Sequence, residues 1–143
     1  MLENQPAALV ADIGGGTSDF SIVRVSPQHA ARLERKDDIL ANHGVHIAGT
    51  DFDRHIELAH ILPACGFRAV GPTGREVPSR VYFDLATWHL INTVYSPGRL
   101  TELRSMKAWY ADPRHHARLM TAVDERLGHA LASAAETAKI DVA

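Results

Sequence analysis

The chain opens with two different patterns of apolar residues. Ala7-Ala8-Leu9-Val10-Ala11-Asp12-Ile13 is a short apolar run closed by Gly14-Gly15-Gly16. A run of that length bounded by glycines predicts a strand buried on both faces. Asp19 to Val25 alternates instead, offering Phe20 and Ile22 to a core, and predicts a second strand. With the tight glycine turn between them, the two runs predict an antiparallel hairpin, closed by Ser26-Pro27-Gln28. A third strand is predicted from about Ala31 to Ala41, ending near Asn42-His43-Gly44.

The period then changes to that of a helix. Thr50 is placed to N-cap a helix, with Asp53 three residues on as its capping-box partner. Phe52, Ile56 and Ala59 follow on one face, and Pro63 and Gly66 end the element. Residues 63–80 hold Pro63, Gly66, Gly71, Pro72, Gly74 and Pro78, which is loop chemistry. This loop divides a strand-rich part, residues 1–62, from a helical part, residues 63–143. Within the latter, Asp84 to Val94 predicts a helix stopped by Ser96-Pro97-Gly98, and Arg99 to Tyr110 predicts another. Asp112-Pro113 is a start signal, a cap residue followed by proline at the first helical position. Leu119, Val123, Leu127, Leu131 and Ala138 continue at helical spacing and predict one helix of roughly 25 residues. The fold class is α/β, with antiparallel strands and a helix followed by a mainly helical part.

Composition narrows the function classes. The chain has 143 residues, with 15 Lys+Arg against 17 Asp+Glu, and this near-neutral balance disfavours a dedicated nucleic-acid binder. Hydrophobic residues make up 45%, ordinary for a soluble globular chain. The longest apolar runs fall far short of the roughly 20 residues of a membrane span, so no membrane partner is expected. The start, Met1-Leu2-Glu3-Asn4-Gln5-Pro6, has neither a basic nor an apolar region of the secretory kind. Cys65 stands alone, which excludes an internal disulfide and points to a cytoplasmic setting.

The candidate chemistry concentrates in Asp12-Ile13-Gly14-Gly15-Gly16-Thr17-Ser18-Asp19. Consecutive glycines cost backbone entropy. Without a Cβ, their N–H groups can approach an anion closely, as in turns that bind phosphate. Thr17 adds a hydroxyl donor. Asp12 and Asp19 flank the loop, and carboxylates beside a phosphate cradle suit a hydrated Mg²⁺. The segment is neither a Walker loop nor a dinucleotide fingerprint. A plain hairpin whose glycines serve only the turn is the competing reading.

This segment resembles the second phosphate-binding loop of the DnaK-type (70 kDa) heat-shock chaperones, in the actin-like (ribonuclease H-like) ATPase superfamily. His46-Ile47-Ala48-Gly49-Thr50-Asp51-Phe52-Asp53 resembles the family's His-Leu-Gly-Gly-Glu-Asp-Phe-Asp stretch. Ala134-Ala135-Glu136-Thr137-Ala138-Lys139-Ile140-Asp141 resembles its helix that meets the adenosine. The region between is most similar to the divergent YegD-like branch. The resemblance implies a piece of the second ATPase lobe, cut from a longer protein, with the partner lobe and its catalytic lysine elsewhere. It implies ATP or ADP with Mg²⁺ as cofactors and ATP hydrolysis only in the full-length parent. Asp12 and Asp19 are implied to hold waters of the metal and place the attacking water, and Thr17 to lie near the γ-phosphate. Gly14, Gly15 and Gly16 are implied as the phosphate cradle, Gly49 near the ribose, and Glu136 and Lys139 on the ribose and adenine. Ala48, Thr50 and Ala143 depart from the family's glycine, glutamate and serine.

Other features have plainer readings. Glu136 and Lys139 by themselves read as a surface ion pair, worth about 0.3–0.5 kcal/mol. His43 with His46 and His115 with His116 lack a third ligand at a recognised spacing. Trp88, Trp109 and Tyr110 read as core, Cys65 as inert, and the run Arg99, Arg104, Lys107, Arg114 and Arg118 as a solvated face. Two functions stay open: a nucleotide-binding lobe of a chaperone-like ATPase, with a client or co-chaperone as further partner, and a non-catalytic scaffold that keeps the actin-like fold.

Overall fold

The computed structural model describes residues 6–27 and 33–142. They fall into two compact units, Met1–Asp51 and Phe52–Ala143. The first unit is a three-stranded antiparallel sheet of order β1 (Ala7–Ile13), β2 (Ser18–Arg24), β3 (Ile39–Val45). The hairpin forms as its pattern predicts. Leu9 pairs with Ile22 and Ile13 with Ser18, which leaves residues 14–17 as the connection.

The third strand lies later than its predicted place. Residues 28–32, where that prediction begins, are outside the described residues. Lys36–Asp38 form a 3-10 turn, held by the Arg35–Asp38 ion pair at 3.2 Å. The charged run from Glu34 to Asp38 suits a turn better than a ladder. Asn42-His43-Gly44, which reads as a turn, instead pairs with Ser21, Phe20 and Asp19 inside the sheet. A register shift between Ile22 and Val23 absorbs Leu40. The expectation that β1 is buried on both faces also fails. Leu9 is 68% and Val10 49% exposed, on opposite faces of the strand.

Helix α1 (Gly49–Ile56) runs on through a π-helical segment, Glu57–Ile61, into a 3-10 turn, Leu62–Cys65. Thr50 is not its cap. The Asp51 carboxylate accepts the Ala48 N–H at 3.1 Å, the reach-back half of a capping box, two residues earlier than predicted. The predicted face is displaced too. Phe52 and Ala59 are exposed, and burial falls on Glu57 and Leu62; a π turn holds more residues than an α turn and shifts Ala59 and the residues after it off α-helical spacing. Gly66 ends the element at φ 97°, with Gly66 N–H on Pro63 O and Phe67 N–H on Leu62 O. That is a Schellman closure, with glycine where a left-handed angle demands it.

The second unit has its core in residues such as Leu62, Val81, Tyr82, Leu85, Leu119 and Val123, each at most 4% exposed. Tyr82 donates its hydroxyl proton to Cys65 O at 2.8 Å and accepts from Tyr110 at 2.7 Å, so both buried phenols are satisfied. The predicted helix from Asp84 to Val94 is split into α2 (Arg80–Leu85) and a 3-10 segment, Trp88–Tyr95. The tighter winding of that segment takes Trp88 off the core face, where it is 66% exposed. Ser96-Pro97 both ends this segment and opens α3 (Pro97–Ser105), which tightens into a 3-10 turn, Met106–Trp109. Trp109 is likewise exposed, at 54%.

Asp112 caps α4 (Pro113–Asp124), accepting the Arg114 N–H at 2.9 Å, as its sequence signal predicts. The helix that should continue from it does not. Arg126 takes φ 53°, Leu127 N–H bonds Ala122 O and Arg126 N–H bonds Val123 O. This second Schellman closure separates α4 from α5 (Gly128–Val142). Arg126 hides the break from a sequence reading, since glycine is the usual signal there.

Candidate functional site

The glycine loop is held from behind. Gly14 N–H closes it on Thr17 O at 2.9 Å. The start of α1 fastens its carbonyls, with Gly49 N–H on Gly14 O at 3.1 Å and Thr50 N–H on Gly15 O at 3.1 Å. The Thr50 hydroxyl adds a bond to the same Gly15 oxygen at 2.6 Å. Thr50, which departs from the family's glutamate, therefore has a local role as a brace. Gly49, which the resemblance implies near a ribose, lies beside the loop.

The N–H groups of Gly15, Gly16 and Thr17 are spent on no acceptor among the described residues. A Cβ built on Gly15 or Gly16 meets nothing within 4 Å. Positive φ occurs among the described glycines only at Gly66 and Gly74. Neither internal packing nor backbone angle calls for glycine at 15 and 16. Glycine there leaves unshielded amide donors open to something outside the loop.

Asp12 and Asp19 stand directly opposite each other on β1 and β2, with Gly44 next in line on β3. Directly opposed residues share a face. A Cβ at Gly44 would sit 2.5 Å from Asp19 Oδ1, so glycine at 44 makes room for that carboxylate. Two like charges in this position weaken a sheet unless a cation or donor offsets them. The Thr17 hydroxyl donates to Asp19 Oδ2 at 3.2 Å. The structure thus gathers Asp12, Thr17, Asp19 and Gly14–Gly16 at one end of the hairpin. Two carboxylates and a hydroxyl are oxygen donors of the kind that suit hydrated Mg²⁺. Among the described residues no group of three or more metal-binding side chains forms.

Glu136 and Lys139 lie one turn apart on α5, in the second unit. They do not form the expected surface pair with each other. Lys139 Nζ lies 2.8 Å from Asp53 Oδ1, and Glu136 is exposed. Ala143 is outside the described residues.

Several functional candidates escaped the sequence reading. Glu57 is 1% exposed, and its Oε1 has no hydrogen-bond partner among the described residues. Loss of hydration on burial pushes this carboxyl up to about 7. The sequence marks it only as an acid between Ile56 and Leu58. Gly44 gave no signal, because Asn-His-Gly reads as a turn.

The remaining expectations resolve simply. Cys65 is buried and its thiol is pushed up by burial, which fits an inert role. His116 is buried and donates from Nε2 to Leu103 O at 2.8 Å. The basic run is largely paired rather than free: Arg99 with Asp84 at 2.6 Å and Arg104 with Asp124 at 2.7 Å. Arg114 holds the Asp112 carboxyl down at about 2. No helix of the described residues is long and apolar enough to cross a membrane. No known protein-family model matches the chain, and no solved structure matches it.

Proposed function

We propose that residues 12–19 form the phosphate-binding loop of a nucleotide site, in the second lobe of an actin-like ATPase of the heat-shock chaperone kind. The observation that supports this reading best is the set of unspent amides at Gly15, Gly16 and Thr17, two of them on glycines that the hairpin itself does not need. These amides take phosphate oxygens of ATP or ADP. Asp12 and Asp19, directly opposed in the ladder, would hold water ligands of Mg²⁺, and its charge would offset both the carboxylates and the phosphates. The Thr17 hydroxyl, bonded to Asp19 in this structure, turns to a phosphate oxygen. By the resemblance, Glu136 and Lys139 would serve the ribose and the adenine. Asp12 and Asp19 would help place the water that attacks phosphorus, and catalysis would be positioning rather than covalent chemistry. Hydrolysis requires the partner lobe of the parent protein, in a cytoplasmic setting where a client or co-chaperone completes the cycle.

A second reading, a non-catalytic scaffold, has its own support in the sheet. Leu9, Val10 and Ile13 are 49–68% exposed, which suits a protein contact. Calorimetry of Mg²⁺·ATP with the parent protein separates the two. The nucleotide reading expects Mg²⁺-dependent binding that Gly15→Val abolishes, while Asp19→Asn slows turnover more than it weakens binding. Absence of binding at millimolar nucleotide gives the site to the scaffold reading instead.

A further inference from the structure

The helical unit carries a cavity that the glycine-loop chemistry does not use. Its arginines are engaged in three ways: by carboxylates, as Arg99 on Asp84 at 2.6 Å; by a carbonyl, as Arg118 on Ala64 O at 3.1 Å; or by rings, as Arg126 over Tyr95. Among the described residues of this unit, Arg75 is the arginine with no carboxylate, carbonyl or ring partner. It lines an open cavity of about 460 Å³ with Pro72, Thr73, Ala108 and Trp109. That volume lies within the range of small-molecule sites.

Both walls of the cavity are preformed. On one side a hydrogen-bonded loop presents Pro72, Thr73 and Arg75. Gly71 N–H donates to Arg75 O at 2.7 Å, Gly74 N–H to Gly71 O at 3.0 Å and Val77 N–H to Ala69 O at 2.9 Å. Gly74 supplies the left-handed angle, φ 78°, that the turn needs. On the other side is the 3-10 turn Met106–Trp109. Gly71 lies so close to the Trp109 carbonyl that a Cβ there would collide with it, so the loop and the turn are docked backbone to backbone. The indole of Trp109 stays 54% exposed.

We propose that this cavity binds a small aromatic carboxylate. The ring stacks on the Trp109 indole, and the carboxylate takes the planar fork of Arg75 with a further bond from the Thr73 hydroxyl. An uncharged aromatic keeps the stack and loses the charge pair. An aliphatic carboxylate keeps the pair and loses the stack. Both therefore bind more weakly.

The test tracks the indole Nε1–H resonance of Trp109 in the ¹⁵N-labelled chain, assigned with Trp88→Phe. The probes are benzoate, benzyl alcohol and acetate. The proposal expects benzoate to saturate the Trp109 shift in the millimolar range, with benzyl alcohol and acetate at least tenfold weaker. It expects Arg75→Ala to weaken benzoate at least tenfold and Arg75→Lys to weaken it less, each with an otherwise unchanged amide spectrum. A Trp109 resonance unmoved by benzoate at about 50 mM overturns the proposal. So does an equal response to benzyl alcohol, or benzoate binding that survives Arg75→Ala.

Discussion

A Cβ added at Gly15 or Gly16 meets empty space, whereas one at Gly128 runs into Ile91 and Tyr95 at 2.5–2.6 Å. The same residue type is thus present for opposite reasons. Gly128→Ala should cost about 1–3 kcal/mol, as overpacking does. Gly15→Ala and Gly16→Ala should be neutral or stabilise by about 0.4–1 kcal/mol, because alanine lowers the entropy of the unfolded chain where φ is unstrained. Urea denaturation of the three variants measures this. Destabilisation by Gly15→Ala comparable to that by Gly128→Ala would mean that the loop glycines serve the fold. The aspartates show the same tension between fold and ligand. Asp12 and Asp19 face each other across the ladder, so Asp19→Asn should leave the chain slightly more stable without Mg²⁺. A loss of stability on that substitution would show that the pair is structurally supported.

At the scale of elements, the π-helical segment Glu57–Ile61 carries a carboxyl that burial raises from 4.5 to about 7. The folded state binds this proton more tightly than the unfolded state does. Its contribution is therefore complete below about pH 4.5 and is lost as pH rises through about 7. Glu57→Gln should flatten the stability profile over that interval and leave the chain more stable than wild type at pH 8. An unchanged slope between pH 5 and 7 would contradict this account.

The hairpin was legible because its two runs and the glycines between them leave one arrangement. The α4 start was legible because Asp112-Pro113 states a cap and a first helical residue together. The break at Arg126 was not, because the apolar spacing persists through it: Leu119, Val123, Leu127 and Leu131 keep the helical period across the turn. Trp88 and Trp109 were misplaced because 3-10 winding, with 3.0 residues per turn, moves side chains off the face that α-helical spacing assigns. Of the candidate site, the loop residues and flanking aspartates were visible in the sequence. The Thr50 brace and the room made by Gly44 depend on pairings between distant segments, which no local pattern announces.

At the scale of the whole molecule, the proposed phosphate loop would supply one side of an ATPase clamp. Phosphoryl transfer depends on holding the phosphate from all sides. The 143-residue chain alone should therefore release phosphate from ATP no faster than buffer does. Release well above buffer that Asp19→Asn abolishes would contradict that division of labour. Binding by the loop does not need the other side, only its amides and carboxylates. Its affinity then falls in the millimolar range typical of a few polar contacts. The most direct measurement is an amide ¹H–¹⁵N NMR titration of this chain with Mg²⁺·ADP, with adenosine and Mg²⁺ alone as controls. The account predicts that the Gly15, Gly16 and Thr17 amides shift together, saturably, with Mg²⁺·ADP and not with adenosine, and that Gly15→Val removes the response. Those three amides staying still at about 10 mM Mg²⁺·ADP, or moving equally with adenosine, would contradict it.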